Sequence, residues 1–259
     1  MRPNYLLSLL MLFAFVPSQA DDAKVAQADG STVTQADGST VTQADDSKVT
    51  VVELFTSQGC HSCPRADSFL GELKEQQDVI ALSCHVTYWN YLGWEDTFSN
   101  TFCDNRQRAY QSELAGNAGV YTPQMVINGE YGGVGSQKRR VHQFINASNA
   151  SSSVEAIQLT LTGDNSLNIE FPELAAGKQK LLLLGTLGDH ELLISRGENR
   201  GKTLTYHNPV SEFVDLGTWD GSSKVLLESV ASPDVKEWVV IAQSWPIGQI
   251  TAAGKLTLN

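Results

Sequence analysis

Apolar residues follow three different patterns along this chain. Leu6 to Val16 is a short, largely apolar run behind Arg2, closed by Ser18-Gln19-Ala20. A positive start, a brief apolar stretch and a small-x-small end predict a secretory signal peptide over residues 1–20, too short to span a bilayer. Residues 27–50 then repeat an eight-residue unit, Q-A-D-G-S-T-V-T, Q-A-D-G-S-T-V-T and Q-A-D-D-S-K-V-T. Each unit has one sizeable apolar residue, too little to offset the entropy of ordering the chain. Residues 21–47 are therefore read as a disordered linker. A calcium-binding Asp-Gly array would need a nine-residue period and more glycine.

From residue 48 the periods of regular structure begin. Lys48 to Thr56 is a β-branched, apolar run and predicts a buried strand. Ala66, Phe69, Leu70 and Leu73 repeat at helical spacing within Cys60 to Gln76. Val79 to Val86 predicts a second strand and 104–115 a polar, amphipathic helix. Asn128-Gly129 is a hairpin turn between strands at Gln124 to Ile127 and Glu130 to Val134, and 137–148 predicts a last helix. Beyond the Ser/Asn/Ala-rich stretch at 146–153 the chain reads as short strands, at 154–162, 166–171, 179–188, 190–195, 202–207, 211–216, 223–229, 237–243 and near 250–258. Such spacing suggests an antiparallel sandwich. The expected organisation is an α/β domain over 48–150 followed by a β-rich, all-β antiparallel sandwich-like domain over 154–259.

Composition adds two constraints. The formal net charge of −11 argues against nucleic acid or an anionic membrane as partner. A signal peptide places the mature chain in the periplasm or outside the cell, soluble once the signal is removed, where disulfides persist. Its four cysteines allow three pairings, and spacing alone selects none.

Candidate chemistry concentrates at E-L-F-T-S-Q-G-C-H-S-C-P-R-A-D, residues 53–67. A strand that feeds Cys60-x-x-Cys63 at a helix start is the thioredoxin-like arrangement. There the helix dipole and unpaired backbone N–H groups favour a thiolate at Cys60. His61 and Arg65 would add positive potential, and Pro64 is tolerated in the first turn. Glu53 is the sole charged residue of its strand and could move protons to and from Cys63. Its bland alternative is a pairing with Lys or Arg at a strand edge. Tyr121-Thr122-Pro123 precedes the hairpin. There a cis-proline would face the redox pair, and the backbone at Thr122 would hold substrate.

The stretches V-V-E-L-F-T-S-Q-G-C-H-S-C-P-R-A-D, Y-W-N-Y-L-G-W-E-D, R-Q-R-A-Y, V-Y-T-P-Q-M-V-I-N-G and R-G-E-N-R-G-K-T-L-T-Y-H-N-P-V resemble a secreted family catalogued as domain of unknown function 1223. The resemblance runs from about Val51 to the C-terminus. It implies the thioredoxin-like superfamily and names no substrate.

The function expected is a thiol–disulfide oxidoreductase, with a Cys60–Cys63 disulfide and no cofactor. Cys60 would be the accessible attacking thiol and Cys63 the resolving one. Its partners would be a thiol- or disulfide-bearing protein or small molecule and a redox recycling partner. Cys84 and Cys103 could form a structural disulfide, remain free thiols, or exchange electrons with the first pair. Tyr88, Trp89, Tyr91 and Trp94 either bury one side of the α/β part or line a groove for an extended substrate, where Asp96, Arg106 and Arg108 could orient polar groups. Two other classes compete. Cys60, Cys63 and His61 or His85 could hold Cu(I) or zinc, or the β-rich part could be a non-enzymatic interaction module.

Overall fold

A computed structural model describes residues 33–34, 40–41, 49–114, 119–151, 153–163, 165–174, 177–222, 224–230 and 232–258. The expected signal peptide and most of the expected linker lie outside the described residues. Within the repeats, β1 (Val33–Thr34) and β2 (Thr40–Val41) pair antiparallel.

The next elements are β3 (Thr50–Thr56), α1 (Pro64–Lys74), β4 (Val79–His85), α2 (Thr101–Glu113), β5 (Gln124–Ile127), β6 (Tyr131–Val134) and α3 (Lys138–Ser151). The four strands form one mixed sheet in the order β4-β3-β5-β6, with β3 parallel to β4 and antiparallel to β5. Every residue of β3 and β4 is buried, which explains their near-continuous apolar sequence. Pro64 opens α1 without losing a hydrogen bond. Asn100 caps α2 by accepting from the Cys103 N–H at 3.0 Å. The β5–β6 turn needs Gly129: its φ is +67°, and a Cβ there would stand 2.1 Å from the Gly248 carbonyl oxygen.

Then follow β7 (Glu155–Ala156), β8 (Gln158–Thr162), β9 (Ser166–Phe171), β10 (Gln179–Thr186), β11 (Asp189–Leu193), β12 (Thr203–His207), β13 (Val210–Trp219), β14 (Lys224–Ser229), β15 (Glu237–Ser244) and β16 (Ile250–Thr257). They form a five-stranded sheet in the order β13-β10-β15-β16-β7, a three-stranded sheet β14-β9-β8 and the β11–β12 hairpin.

The faces of the sheets show how the layers stack. Val52, Leu54, Ala81, Met125 and Ile127 pack against Phe69, Leu70 and Leu73 of α1 and Val141 and Ile145 of α3. The opposite face, carrying Val51, Ile80 and Leu82, packs against Leu182, Leu184, Val239, Ile241 and Ala253 of the five-stranded sheet. The far side of that sheet, with Leu181, Leu183, Trp238 and Val240, buries Leu159, Leu167 and Ile169 of the three-stranded sheet. The order of layers is helix, mixed sheet, five-stranded sheet, three-stranded sheet.

This corrects the expected fold class. In place of an α/β thioredoxin-like domain followed by an all-β antiparallel sandwich, the described chain is mostly strand, in several mixed and antiparallel sheets with three α-helices. No clear thioredoxin α/β domain stands out. Two features explain the difference. Part of the mixed sheet's second face is covered by another sheet, which element order along the chain does not reveal. The five-stranded sheet is itself mixed, because β7 joins β16 in parallel. Among the described residues no helix is long and apolar enough to cross a membrane.

Candidate functional site

Strand β3 ends at Thr56, and four residues later the chain reaches Cys60, just before α1. Cys60 and Cys63 form a disulfide, with Cα atoms 5.4 Å apart. His61, Ser62 and Arg65 are exposed, whereas Cys60 is 1% and Cys63 0% exposed. The expectation of an accessible Cys60 therefore does not describe this state. Thr122 lies against the pair: its Oγ1 donates to Cys60 Sγ at 3.2 Å, and the Thr122–Pro123 peptide is cis. Trp89 Nε1 donates to the same Thr122 oxygen at 2.8 Å, which fixes the hydroxyl's direction toward sulfur.

Glu53 is not brought to the pair. Strand alternation puts it on the face with Phe55 and Leu82, beneath α2 and away from α1. There Arg106 grips its carboxylate with two nitrogens, one at 2.9 Å, and the Tyr110 hydroxyl donates to it at 2.5 Å. Gln243 of β15 closes the network by accepting from Arg106 at 3.1 Å and donating to Tyr110 at 2.9 Å. Burial opposes the Arg106 charge, but Glu53 and Tyr110 together outweigh it and hold the guanidinium above its ordinary pKa. Burial also pushes the Tyr110 hydroxyl well up. The expected pairing of Glu53 with a basic residue exists, in the protein interior.

The acid on the cysteine side is Asp67, one turn beyond Cys63 on the same face of α1. It is 3% exposed and accepts from the Thr56 hydroxyl at 2.6 Å. Burial pushes its carboxyl up to about 7, although the Thr56 hydrogen bond and His85 act in the opposite direction. His85, at the end of β4, shares a 2.7 Å hydrogen bond through Nδ1 with Asp96 Oδ2. Burial would raise Asp96 too. His85 and the backbone N–H groups of Gln58 and Phe98 more than offset it and leave the carboxyl below its usual range. The sequence carried a signal for Asp67: it is a lone carboxylate in the apolar stripe of α1, adjacent to Ala66.

The β-rich part closes the site. Asn199, fully buried in the turn between β11 and β12, donates to the carbonyls of Gln58 and Cys60, each at 2.9 Å. Glu198 accepts from the His61 N–H at 3.3 Å. Gly197-Glu198-Asn199-Arg200-Gly201 reads as a turn in the sequence and forms one here, but nothing local to it announces the contact with Cys60. Asn199→Ala leaves two buried carbonyls without that donor. It is expected to cost about 1–3 kcal/mol and to speed reduction of Cys60–Cys63 by a small dithiol, read by mass spectrometry of alkylated samples.

The aromatic residues divide. Trp89 and Trp94 hold the site's loops, Trp94 by donating to Gln58 at 2.8 Å. Tyr88 bonds Gln107 at 3.1 Å, while Tyr91 is 79% exposed. Cys84 and Cys103 form a second, buried disulfide between β4 and α2. Among the described residues no three His, Cys, Asp or Glu side chains are grouped to hold a metal ion.

A family described as "Protein of unknown function (DUF1223)" matches residues 51–243. No curated protein matches this chain. Among solved structures, protein AGR_C_4864 from Agrobacterium tumefaciens is 30% identical, with a TM-score of 0.73 over 83% of this chain and 97% of that one. HBP35 of Porphyromonas gingivalis is similar in fold alone, at 12% identity and a TM-score of 0.54 over 83% of this chain and 77% of its own.

Proposed function

We propose that this chain, which belongs to the DUF1223 family, is a thiol–disulfide oxidoreductase whose reacting atoms are the sulfurs of Cys60 and Cys63. The observation that carries the reading is the contact of the Thr122 hydroxyl with Cys60 Sγ at the start of α1. A polar donor held against one sulfur of a vicinal pair can stabilise the negative charge that develops when that bond opens. In the reduced protein the Cys60 thiolate attacks a substrate disulfide and releases one substrate thiolate, and Cys63 then resolves the mixed disulfide at Cys60 and releases the second. In the opposite direction a substrate thiolate opens the pair at Cys60 and a second substrate thiol releases the oxidised substrate. The substrate is a thiol- or disulfide-bearing protein or small molecule, and a separate redox partner resets the pair. Export to an oxidising compartment fits two disulfides and the leader-like first residues. Cys60 is buried in this state, so attack at its sulfur requires the surrounding loops to move.

The test uses the purified mature chain. Cys63→Ala should trap a mixed disulfide through Cys60 with a disulfide-bearing substrate, releasing one substrate thiolate, and Cys60→Ala should trap little. Wild type should equilibrate with glutathione at a defined potential. If Cys60–Cys63 stays oxidised in excess glutathione and neither variant traps a partner, the redox reading fails. The burial of Cys60 favours one second reading, in which the disulfide is a staple and the chain is an interaction module. That outcome would select it.

A further inference from the structure

Three buried polar atoms without a protein partner come from three elements packed on one another. They are Asp67 Oδ2 of α1, His85 Nε2 of β4 and the Tyr206 hydroxyl of β12. The His85 and Tyr206 rings meet edge to face at 5.1 Å. Helix α1 and β12 approach closely because Gly71 has no side chain where the His207 ring lies; a Cβ would stand 2.3 Å from it. Between them a cleft of about 340 Å³ opens, lined by Pro64, Asp67, Ser68, Thr203, Thr205 and His207. Its polar walls are hydroxyls, an imidazole and the back of Asp67, beside the apolar Pro64 and Leu204.

A buried carboxylic acid whose second oxygen has no partner is costly in an apolar interior. This one lies one turn from Cys63 and borders a polar cleft. We propose that Asp67 takes and returns the proton of Cys63, with His85 and Asp96 as a positioning pair and the α1–β12 cleft as the proton's path to solvent. The inference rests on the redox reading above and replaces Glu53 in the role the sequence suggested for it. In the reduced protein Cys60 thiolate attacks a substrate disulfide, forming a mixed disulfide and releasing one substrate thiolate. Asp67 carboxylate then takes the Cys63 proton, Cys63 sulfur attacks Cys60 Sγ, and the second substrate thiolate leaves. The substrate gains two electrons, the cysteine pair loses two, and the proton passes from Asp67 to solvent.

The groups facing Asp67 are Thr56 on β3, His85 on β4, Asp96 in the following loop, Tyr206 and His207 on β12, and Cys63 on its own helix. Asp67→Asn keeps the acceptor for Thr56 and removes the base. With reduced full-length protein and dithionitrobenzoate, the first release of thionitrobenzoate reports attack by Cys60 and the second reports resolution by Cys63. In wild type the second rate should rise with pH through the inflection of the Asp67 carboxyl, which burial raises above the ordinary carboxylate range. In Asp67→Asn it should fall roughly a hundredfold or more at neutral pH and lose that inflection, whereas a structural role would leave the inflection in place. Carbon-13 NMR of the wild-type Asp67 carboxyl gives a second measurement that needs no variant, and its midpoint should differ between oxidised and reduced protein. No first release overturns the redox reading and this inference together. A normal first release with an unchanged second inflection, or a carboxyl midpoint indifferent to oxidation state, overturns the inference alone.

Discussion

Arg106→Met should destabilise this protein by about 3–5 kcal/mol, the largest single loss expected at any charged position. Arg106 and Glu53 are 4% and 2% exposed at their side chains. Removing one partner of a buried pair leaves the other as an uncompensated charge, and that penalty exceeds what the intact pair contributes. Methionine retains most of the volume, so packing loss stays small and the electrostatic effect dominates. The Glu53→Gln, Arg106→Met double variant removes the stranded charge and should recover a substantial part of the loss. Urea unfolding followed by tryptophan fluorescence measures all three. A single variant within 1 kcal/mol of wild type would mean that Tyr110 and Gln243 suffice to hold the Glu53 carboxylate.

The second large effect depends on pH and has the opposite sign. Asp67 has a folded-state pKa of about 7 against an ordinary value of 3.8. Between these values the folded state holds a proton that the unfolded chain has released, so stability falls as pH rises. The loss begins near pH 4, is complete above about 7, and amounts at most to about 4 kcal/mol. Asp67→Asn has no such proton. It should match wild type at pH 4 and exceed it at pH 8 by roughly 1–4 kcal/mol. The check is the difference between the two unfolding free energies across that range. A difference that stays constant with pH would show that the carboxyl titrates as it does in water. A residue kept at this cost in stability fits a group retained for chemistry.

The individual elements could be read from the sequence because their signals are local. The expected strand at 166–171 is β9 (Ser166–Phe171), and the one at 237–243 is β15 (Glu237–Ser244) to within a residue. Asn128-Gly129 marks a turn that needs left-handed backbone. The class was not legible, because it depends on which layer covers Val51, Ile80 and Leu82. Strands more than 100 residues later do so, and an apolar face does not specify its partner. Sequence reading singles out Glu53 and passes over Asp67 for a related reason. Both are lone acids in apolar runs. Only the alternation of β3 in three dimensions, with α2 on one side and α1 on the other, assigns Glu53 to Arg106 and leaves Asp67 beside Cys63. Asn199 gave no sequence signal of its role, since it acts on backbone carbonyls about 140 positions earlier.

The middle position of the five-stranded sheet fixes an order of events for a newly made chain. The cysteine pair emerges first, and residues 49–151 follow with one face of their sheet still bare. The strands that cover it, and the turn that clasps Cys60, are supplied by the second half of the molecule. Until those arrive, the carbonyls of Gln58 and Cys60 lack their Asn199 donor, and Asp67 lacks the wall that β12 contributes. A chain that emerges from its N-terminal end thus carries the pair on a loop that is not yet clasped, and the clasp closes only when Asn199 and the strands around it have been made.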